Sequence, residues 1–256
     1  MMVNKPPAPL CESLSWDSEF FECRIARILA NRLSPESLET VEAWCRLEAI
    51  DCVYWVAEAD HEQTIRLAKD HDFNLVDIRL TLSKDLTEHK FESSRNSGGS
   101  IRPALPQDLS ALRAIARHSH HDTRFYFDPH FAKAKCDALY EIWIEKSCQG
   151  YADAVLVAQG ETQVVGYITC KSLDPESGQI GLLAVDQSSV GVGLGSRLIK
   201  AALGWFYEHG HKQVFVVTQG RNIRAQRSYQ RAGFVTESLQ LSYHRWFCRS
   251  HREAFK

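Results

Sequence analysis

Apolar positions along the second half of the chain change their period in a way that spells out elements. Leu109, Leu112 and Ile115 recur at helical spacing, and Pro106 stands where a helix start tolerates it. A second helical stripe, Ala132, Cys136, Leu139 and Trp143, predicts a helix over Phe131 to Cys148. The pattern then becomes apolar and β-branched over Ala152 to Ala158 and Val164 to Thr169. Gln159-Gly160-Glu161-Thr162 lies between them, which predicts a hairpin. Gln179 to Val185 reads as a strand, Leu194 to His209 as an amphipathic helix and Lys212 to Thr218 as a strand. Asn222 to Ala232 reads as a helix and Phe234 to Trp246 as mostly strand. The order α-α-β-β-β-α-β-α-β mixes an antiparallel meander with one crossover, so the expected class is mixed α/β, a central mixed sheet flanked by helices.

The first part reads β-α-β-α-β: Ser13 to Leu29, Pro35 to Glu48, Cys52 to Glu58, Glu62 to His71, and Leu75 to Leu82. Ser93 to Ser100 (SSRNSGGS) is polar and Gly/Ser-rich, which predicts a flexible connection. The expected organisation is a unit over 1–92, a linker over 93–100 and a larger domain over 101–256. The two parts also echo each other. Val53 to Val56 aligns with Val214 to Val217, Phe73 with Phe234 and Leu80 with Leu241, all at one offset (214 − 53 = 161, 234 − 73 = 161). That is the sign of an internal duplication.

Composition narrows the classes. A chain of 256 residues buries enough surface to fold without disulfide or metal. A formal net charge of −2 removes the electrostatic case for nucleic acid. No run of about 18 apolar residues predicts a membrane span, and Met1 to Leu10 has no signal-peptide core. The eight cysteines show no Cys-x-x-Cys pair and read as reduced thiols, which with the missing export signal points to the cytoplasm. His118-Ser-His120-His121 has no further ligand spacing, so no metal is expected.

The chemistry concentrates in Ile180 to Lys200. A strand ends near Asp186, and Gly191, Gly193 and Gly195 lead into a helix. Glycines let backbone amides approach a ligand, and the helix N-terminus adds partial positive charge, so the segment suits a pyrophosphate. Gly195-Ser196-Arg197 lacks the lysine of a P-loop. The G-x-G-x-G spacing and the strand end Val217-Thr218-Gln219 lack the third glycine position and the acidic residue of a dinucleotide fold. A purely structural turn remains open on these residues alone.

The segment resembles the acetyl-CoA loop of the GNAT acyltransferase superfamily, [Gln/Arg]-x-x-Gly-x-[Gly/Ala]. Gly193 and Gly195 match, and Val190 departs from the pattern. Downstream, Asn222-x-x-Ala225, Tyr229 and Gly233-Phe234 occur in the family's order. The resemblance implies a GNAT fold with a degenerate GNAT-like unit before it, and acetyl-CoA as co-substrate. It implies that Leu183, Ala184, Val185, Val190, Gly191, Val192, Gly193, Leu194, Gly195, Ser196 and Asn222 hold the CoA. It further implies that the amide of Leu182 or Leu183 polarises the thioester carbonyl and that Tyr229 protonates the leaving thiolate. The offset of 161 maps Gly193, Gly195, Asn222 and Tyr229 onto Arg32, Ser34, His61 and Ala68, so one active site is expected, in the second part.

Leu14-Ser-Trp16-Asp-Ser-Glu-Phe20-Phe21, Arg124-Phe-Tyr126-Phe and Tyr140-x-x-Trp143 are similar to the bacterial dTDP-fucosamine acetyltransferase family. That similarity implies the 4-amino group of a nucleotide-linked 4-amino-4,6-dideoxy sugar as acceptor, with Arg124 and Tyr126 at the acceptor. Another small amine, an amino acid or a protein amine stays open, as does a CoA-binding module without catalysis. A homodimer through an exposed C-terminal strand edge is a further expectation.

Overall fold

The computed structural model describes residues 9–87 and 101–247; the linker expected at Ser93 to Ser100 lies outside the described residues. Contacts divide the chain into Met1–Ile78 with Leu239–Lys256, and Arg79–Ser238. The division differs from the expected 1–92, 93–100 and 101–256 because two long strands each belong to both units: β4 (Asn74–Asp85) and β10 (Val235–Trp246).

In the first unit, β1 (Cys11–Ser13), β2 (Ile25–Ile28) and β3 (Cys52–Glu58) lie side by side, and β3 pairs antiparallel with Gln240 to Trp246 of β10. The C-terminal strand is therefore paired over those residues and is not the free edge expected for a homodimer. The stretch Ser13 to Leu29, expected as one strand, is interrupted by helix α1 (Ser15–Phe21). Trp16 and Phe20, four apart, stack at 5.1 Å on one helix face. Ser18 ties the start of the helix to the start of β2: its hydroxyl donates to Leu14 O and accepts from Ile25 N.

Helix α2 (Pro35–Leu47) starts where Ser34 caps the Ser37 amide and Pro35 takes the first turn. Its Leu38, Val41 and Cys45 are buried in a core with Trp55, Ala68 and Phe73. Its neighbouring face carries Glu42, which accepts from His71 Nδ1 at 2.9 Å and from Arg245. Burial alone raises the Glu42 pKa; hydrogen bonds from Arg245 and His71 outweigh it, so the carboxyl sits below its ordinary value. A lowered folded pKa means stabilisation present above the ordinary carboxylate range and lost as pH falls through the folded pKa. Glu42→Gln is therefore expected to cost roughly 1–3 kcal/mol at pH 7, the gap to wild type closing below about pH 4. Thermal melts of both proteins at the two pH values check it.

In the second unit the strand order is β4-β9-β8-β7-β6-β5, with β5 (Ile101–Pro103), β6 (Ala154–Gln159), β7 (Val164–Ser172), β8 (Ser177–Val185) and β9 (Gln213–Gln219). All neighbours are antiparallel except β8 and β9, joined by the crossover helix α7 (Leu194–Glu208). Leu198, Ile199, Ala202, Leu203 and Phe206 of α7 fill the core against Leu156, Ile168, Ile180 and Val216. Helices α4 (Leu109–Arg117) and α6 (Lys133–Lys146) pack together, and α4 also touches β7. The turn-length helix α5 (Arg124–Phe127) lies between them in sequence.

The repeat is visible in the element bounds. β3, α3 (Glu62–Asp70) and β4 correspond to β9, α8 (Ile223–Arg231) and β10 at one offset (213 − 52, 223 − 62 and 235 − 74 all give 161). Pairing follows the same offset crosswise: Glu58 faces Gln240, and Gln219 faces Arg79. Each β-α-β segment thus pairs its first strand with the last strand of the other.

Candidate active site

Strands β8 and β9 run in register from Ser177↔Gln213 to Ile180↔Val216, where their pairing ends. Beyond that point β9 stays with β4 through Gln219↔Arg79, and β8 stays with β7 through Val185↔Gly166. The strands splay, and the backbone of β8 from Gly181 onward lines one wall of the opening.

A β-bulge sets which amides face it. Ile168 pairs with Leu183 and Cys170 with Ile180, so Gly181 and Leu182 together oppose Thr169. The Leu182 amide donates to Thr169 Oγ1 at 2.7 Å. Asp186 N donates to Val165 O at 2.8 Å, also on the β7 side. By the two-residue alternation of a strand, the amides of Leu183 and Val185 point the other way, toward the opening. Of the two amides expected at the thioester carbonyl, that of Leu182 is engaged by Thr169, and that of Leu183 faces the cleft. A Cβ on Gly181 would meet Thr169 Oγ1 at 2.8 Å, so the bulge needs a glycine there. Thr169 was not a sequence-derived site residue; the glycine inside the apolar run Ile180 to Val185 was the available signal.

After β8, Asp186 caps a short turn by accepting from Ser188 N at 2.9 Å. Val190, Gly191, Val192 and Gly193 follow, all exposed. Gly191 (φ 94) and Gly193 (φ 75) lie in the left-handed region, and Gly193 is the N-cap of α7. The first intrahelical bond runs from Arg197 N to Gly193 O, so the amides of Leu194, Gly195 and Ser196 have no acceptor within the helix. Leu194 itself is buried and anchors the loop in the core. These residues fit a diphosphate: open amides, no side chain over the glycines, and the positive end of a four-turn helix.

Asn222 caps α8, accepting from Ala225 N at 3.0 Å. One turn on, Gln226 Nε2 donates to the carbonyls of Gln219 and Gly220 and holds the end of β9. Tyr229 is 4% exposed and meets Phe234 edge to face at 5.5 Å. Burial pushes its pKa above the ordinary value, so the phenol is protonated at neutral pH. The repeat positions differ as the sequence implied: His61 caps α3 as Asn222 caps α8, and Ala68 is buried where Tyr229 stands.

On α5, Arg124 lies with its guanidinium carbon 4.7 Å from the Phe125 ring centroid. The Tyr126 hydroxyl donates its proton to Asp137 Oδ1 at 2.6 Å, which leaves its oxygen able to accept. His120 Nε2 lies 3.0 Å from the Tyr167 hydroxyl, its ring stacks on Tyr140, and burial lowers its pKa to about 4, leaving the imidazole neutral.

The splayed strands, the glycine loop capping a crossover helix and the buried tyrosine all fall inside residues 114–234, the segment matched by the profile of the acetyltransferase (GNAT) family. Residues 114–234 form a GNAT acetyltransferase domain. GNAT acetyltransferases use acetyl-CoA as acetyl donor. The chain is 28% identical to a dTDP-fucosamine acetyltransferase of Escherichia coli O6:H1 over 89% of its own length and 94% of that protein. It is 30% identical to a spore coat polysaccharide biosynthesis protein of Bacillus subtilis over 57% of its length, spanning 50% of that relative. A GCN5-related N-acetyltransferase from Sphaerobacter thermophilus shares the fold, with TM-score 0.66 at 17% identity over 92% of this chain and 76% of that one. Among the described residues no helix is long and apolar enough to cross a membrane.

Proposed function

We propose that this protein moves the acetyl group of acetyl-CoA to the 4-amino group of a nucleotide-linked amino-deoxy sugar, by direct attack in a ternary complex. The observation that carries the acceptor is the similarity to the dTDP-fucosamine acetyltransferase, which runs through both units rather than the GNAT domain alone.

The neutral amine attacks the thioester carbonyl carbon. Charge developing on the carbonyl oxygen meets the Leu183 amide in the cleft. The C–S bond then breaks, and the thiolate of CoA takes the Tyr229 phenolic proton. The amine's surplus proton leaves to solvent. Leu194, Gly195 and Ser196 amides hold the pyrophosphate of the donor, and the β8 backbone at Leu183 and Val185 pairs with its pantetheine arm. At the repeat positions of the first unit Arg32, Ser34 and Ala68 stand in place of Gly193, Gly195 and Tyr229.

The deciding experiment measures thiol release from acetyl-CoA with a panel of dTDP- and UDP-linked 4-amino sugars, free amino sugars, amino acids and a peptide amine. Turnover is expected with a nucleotide-linked amino sugar and near background with the rest. Turnover confined to the free amines or the peptide overturns the acceptor assignment; CoA binding without turnover of any amine overturns catalysis.

A further inference from the structure

We propose that Arg79, Arg124 and Arg221 form a clamp for the diphosphate of the acceptor, separate from the loop that holds the diphosphate of CoA. The inference rests on the nucleotide-linked acceptor proposed above and names the residues that would recognise it.

Three elements of the second unit bring these residues together. The β4:β9 register sets Arg79 opposite Gln219, the last residue of β9, at the open end of the cleft. Arg221 lies two residues on, in the turn before α8, and its guanidinium carbon stands 4.1 Å from the Phe127 ring centroid. Phe127 ends the four-residue helix that Arg124 begins. A strand, a short helix and a turn thus deliver three guanidinium groups to one mouth. The CoA loop belongs to other elements, the end of β8 and the start of α7.

Two further observations point to an anion there. Arg79 is held below the ordinary arginine pKa, first by burial and then by the charge of Arg124, which puts the two guanidinium groups within electrostatic reach of each other. Thr123, next to Arg124, is 6% exposed, and its hydroxyl has no hydrogen-bond partner among the described residues. Buried hydroxyls are normally satisfied. A diphosphate offers oxygens that guanidinium forks bind in pairs and that can accept from the Thr123 hydroxyl. The chain's net charge of −2 makes this a local concentration of positive charge rather than a general one.

The test is isothermal titration of the full chain, with CoA already saturating the donor site, by thymidine 5′-diphosphate, uridine 5′-diphosphate and inorganic pyrophosphate. Arg79→Gln and Arg124→Gln are each expected to weaken binding of all three probes by about tenfold or more, with Arg79→Lys and Arg124→Lys in between. The affinity for CoA, titrated alone, stays within about twofold. Should either glutamine variant lose its melting transition, Arg221→Gln, with its exposed side chain, carries the same comparison. Unchanged diphosphate affinity in folded variants overturns the clamp while leaving the proposed reaction intact if the wild type still turns over nucleotide-linked sugars. A wild type that binds none of the probes and acetylates only free amines overturns the clamp and the acceptor together.

Discussion

Tyr229→Phe is expected to lower kcat by about 10²-fold or more at saturating acetyl-CoA and acceptor, with the melting temperature nearly unchanged. The substitution keeps the ring that packs edge to face on Phe234 and removes only the hydroxyl. What it removes is the proposed proton source. A CoA thiol titrates near 8.5, so at neutral pH its thiolate is a fair leaving group that still gains from protonation as the C–S bond breaks. Burial holds the Tyr229 phenol protonated well past neutrality. The sign follows: an acid whose pKa is raised is competent at low pH and fails only when pH rises through its folded pKa. The wild-type kcat should therefore show no loss from this group up to about pH 10, its ordinary value. Binding of acetyl-CoA should be nearly the same in both proteins, so the loss appears in kcat rather than KM. Steady-state thiol release from pH 6 to 9.5 checks it; a Phe variant within about twofold of wild-type kcat removes Tyr229 from the chemistry.

Legibility of this fold in its sequence depended on whether the signal was local. Sustained apolar periodicity placed α7 at Leu194 to His209 against the observed Leu194–Glu208, and β10 within one residue of its observed start. Helix α1 was not legible because it is only two turns long and buries none of its seven residues, so Trp16 and Phe20 are too short a pattern to separate it from the strands around it. The crosswise pairing of β4 with β9 and β10 with β3 has no local marker: a strand's sequence shows which face is buried and says nothing of which strand lies beside it. That is why the unit boundary fell at the Gly/Ser-rich stretch in sequence and inside two strands in the structure.

The site divides the same way. The left-handed turns at Gly191 and Gly193 and the helix cap at Asn222 were legible because each depends on its own residue type. The choice between Leu182 and Leu183 was not, since it turns on one extra residue in β8 opposite Thr169. A one-residue slip exchanges the two sides of a strand. Arg79 was invisible for the same reason as the strand exchange, because only the register with Gln219 carries it to the mouth of the cleft.

Gly193→Asp should raise the Kd of CoA by roughly 30- to 150-fold, about 2–3 kcal/mol, and leave the fold in place. Most substitutions at Gly193 would confound two effects, since its φ of 75° strains any residue with a Cβ. Aspartate is among the residues that tolerate this region best, and its charge is favoured beside the N-terminus of α7. The space is open: a Cβ built on Gly193 meets nothing within 4 Å. Unfolding should therefore change little. The new carboxylate instead stands among the Leu194, Gly195 and Ser196 amides, where it competes for the same donors and repels a pyrophosphate. One unit charge about 5 Å from another, at an effective dielectric of about 20–40, gives about 2–3 kcal/mol. Because exposed charges are screened, the deficit should shrink with added salt. Gly193→Asn, with nearly the same shape and no charge, separates the two contributions: a loss much smaller than that of aspartate assigns the effect to charge at the helix N-terminus, whereas equal losses from both assign it to the backbone of the loop. Calorimetric titration of CoA at low and high salt, beside melts of each protein, distinguishes them. If Gly193→Asp binds CoA as tightly as wild type, the pyrophosphate does not lie at the start of α7.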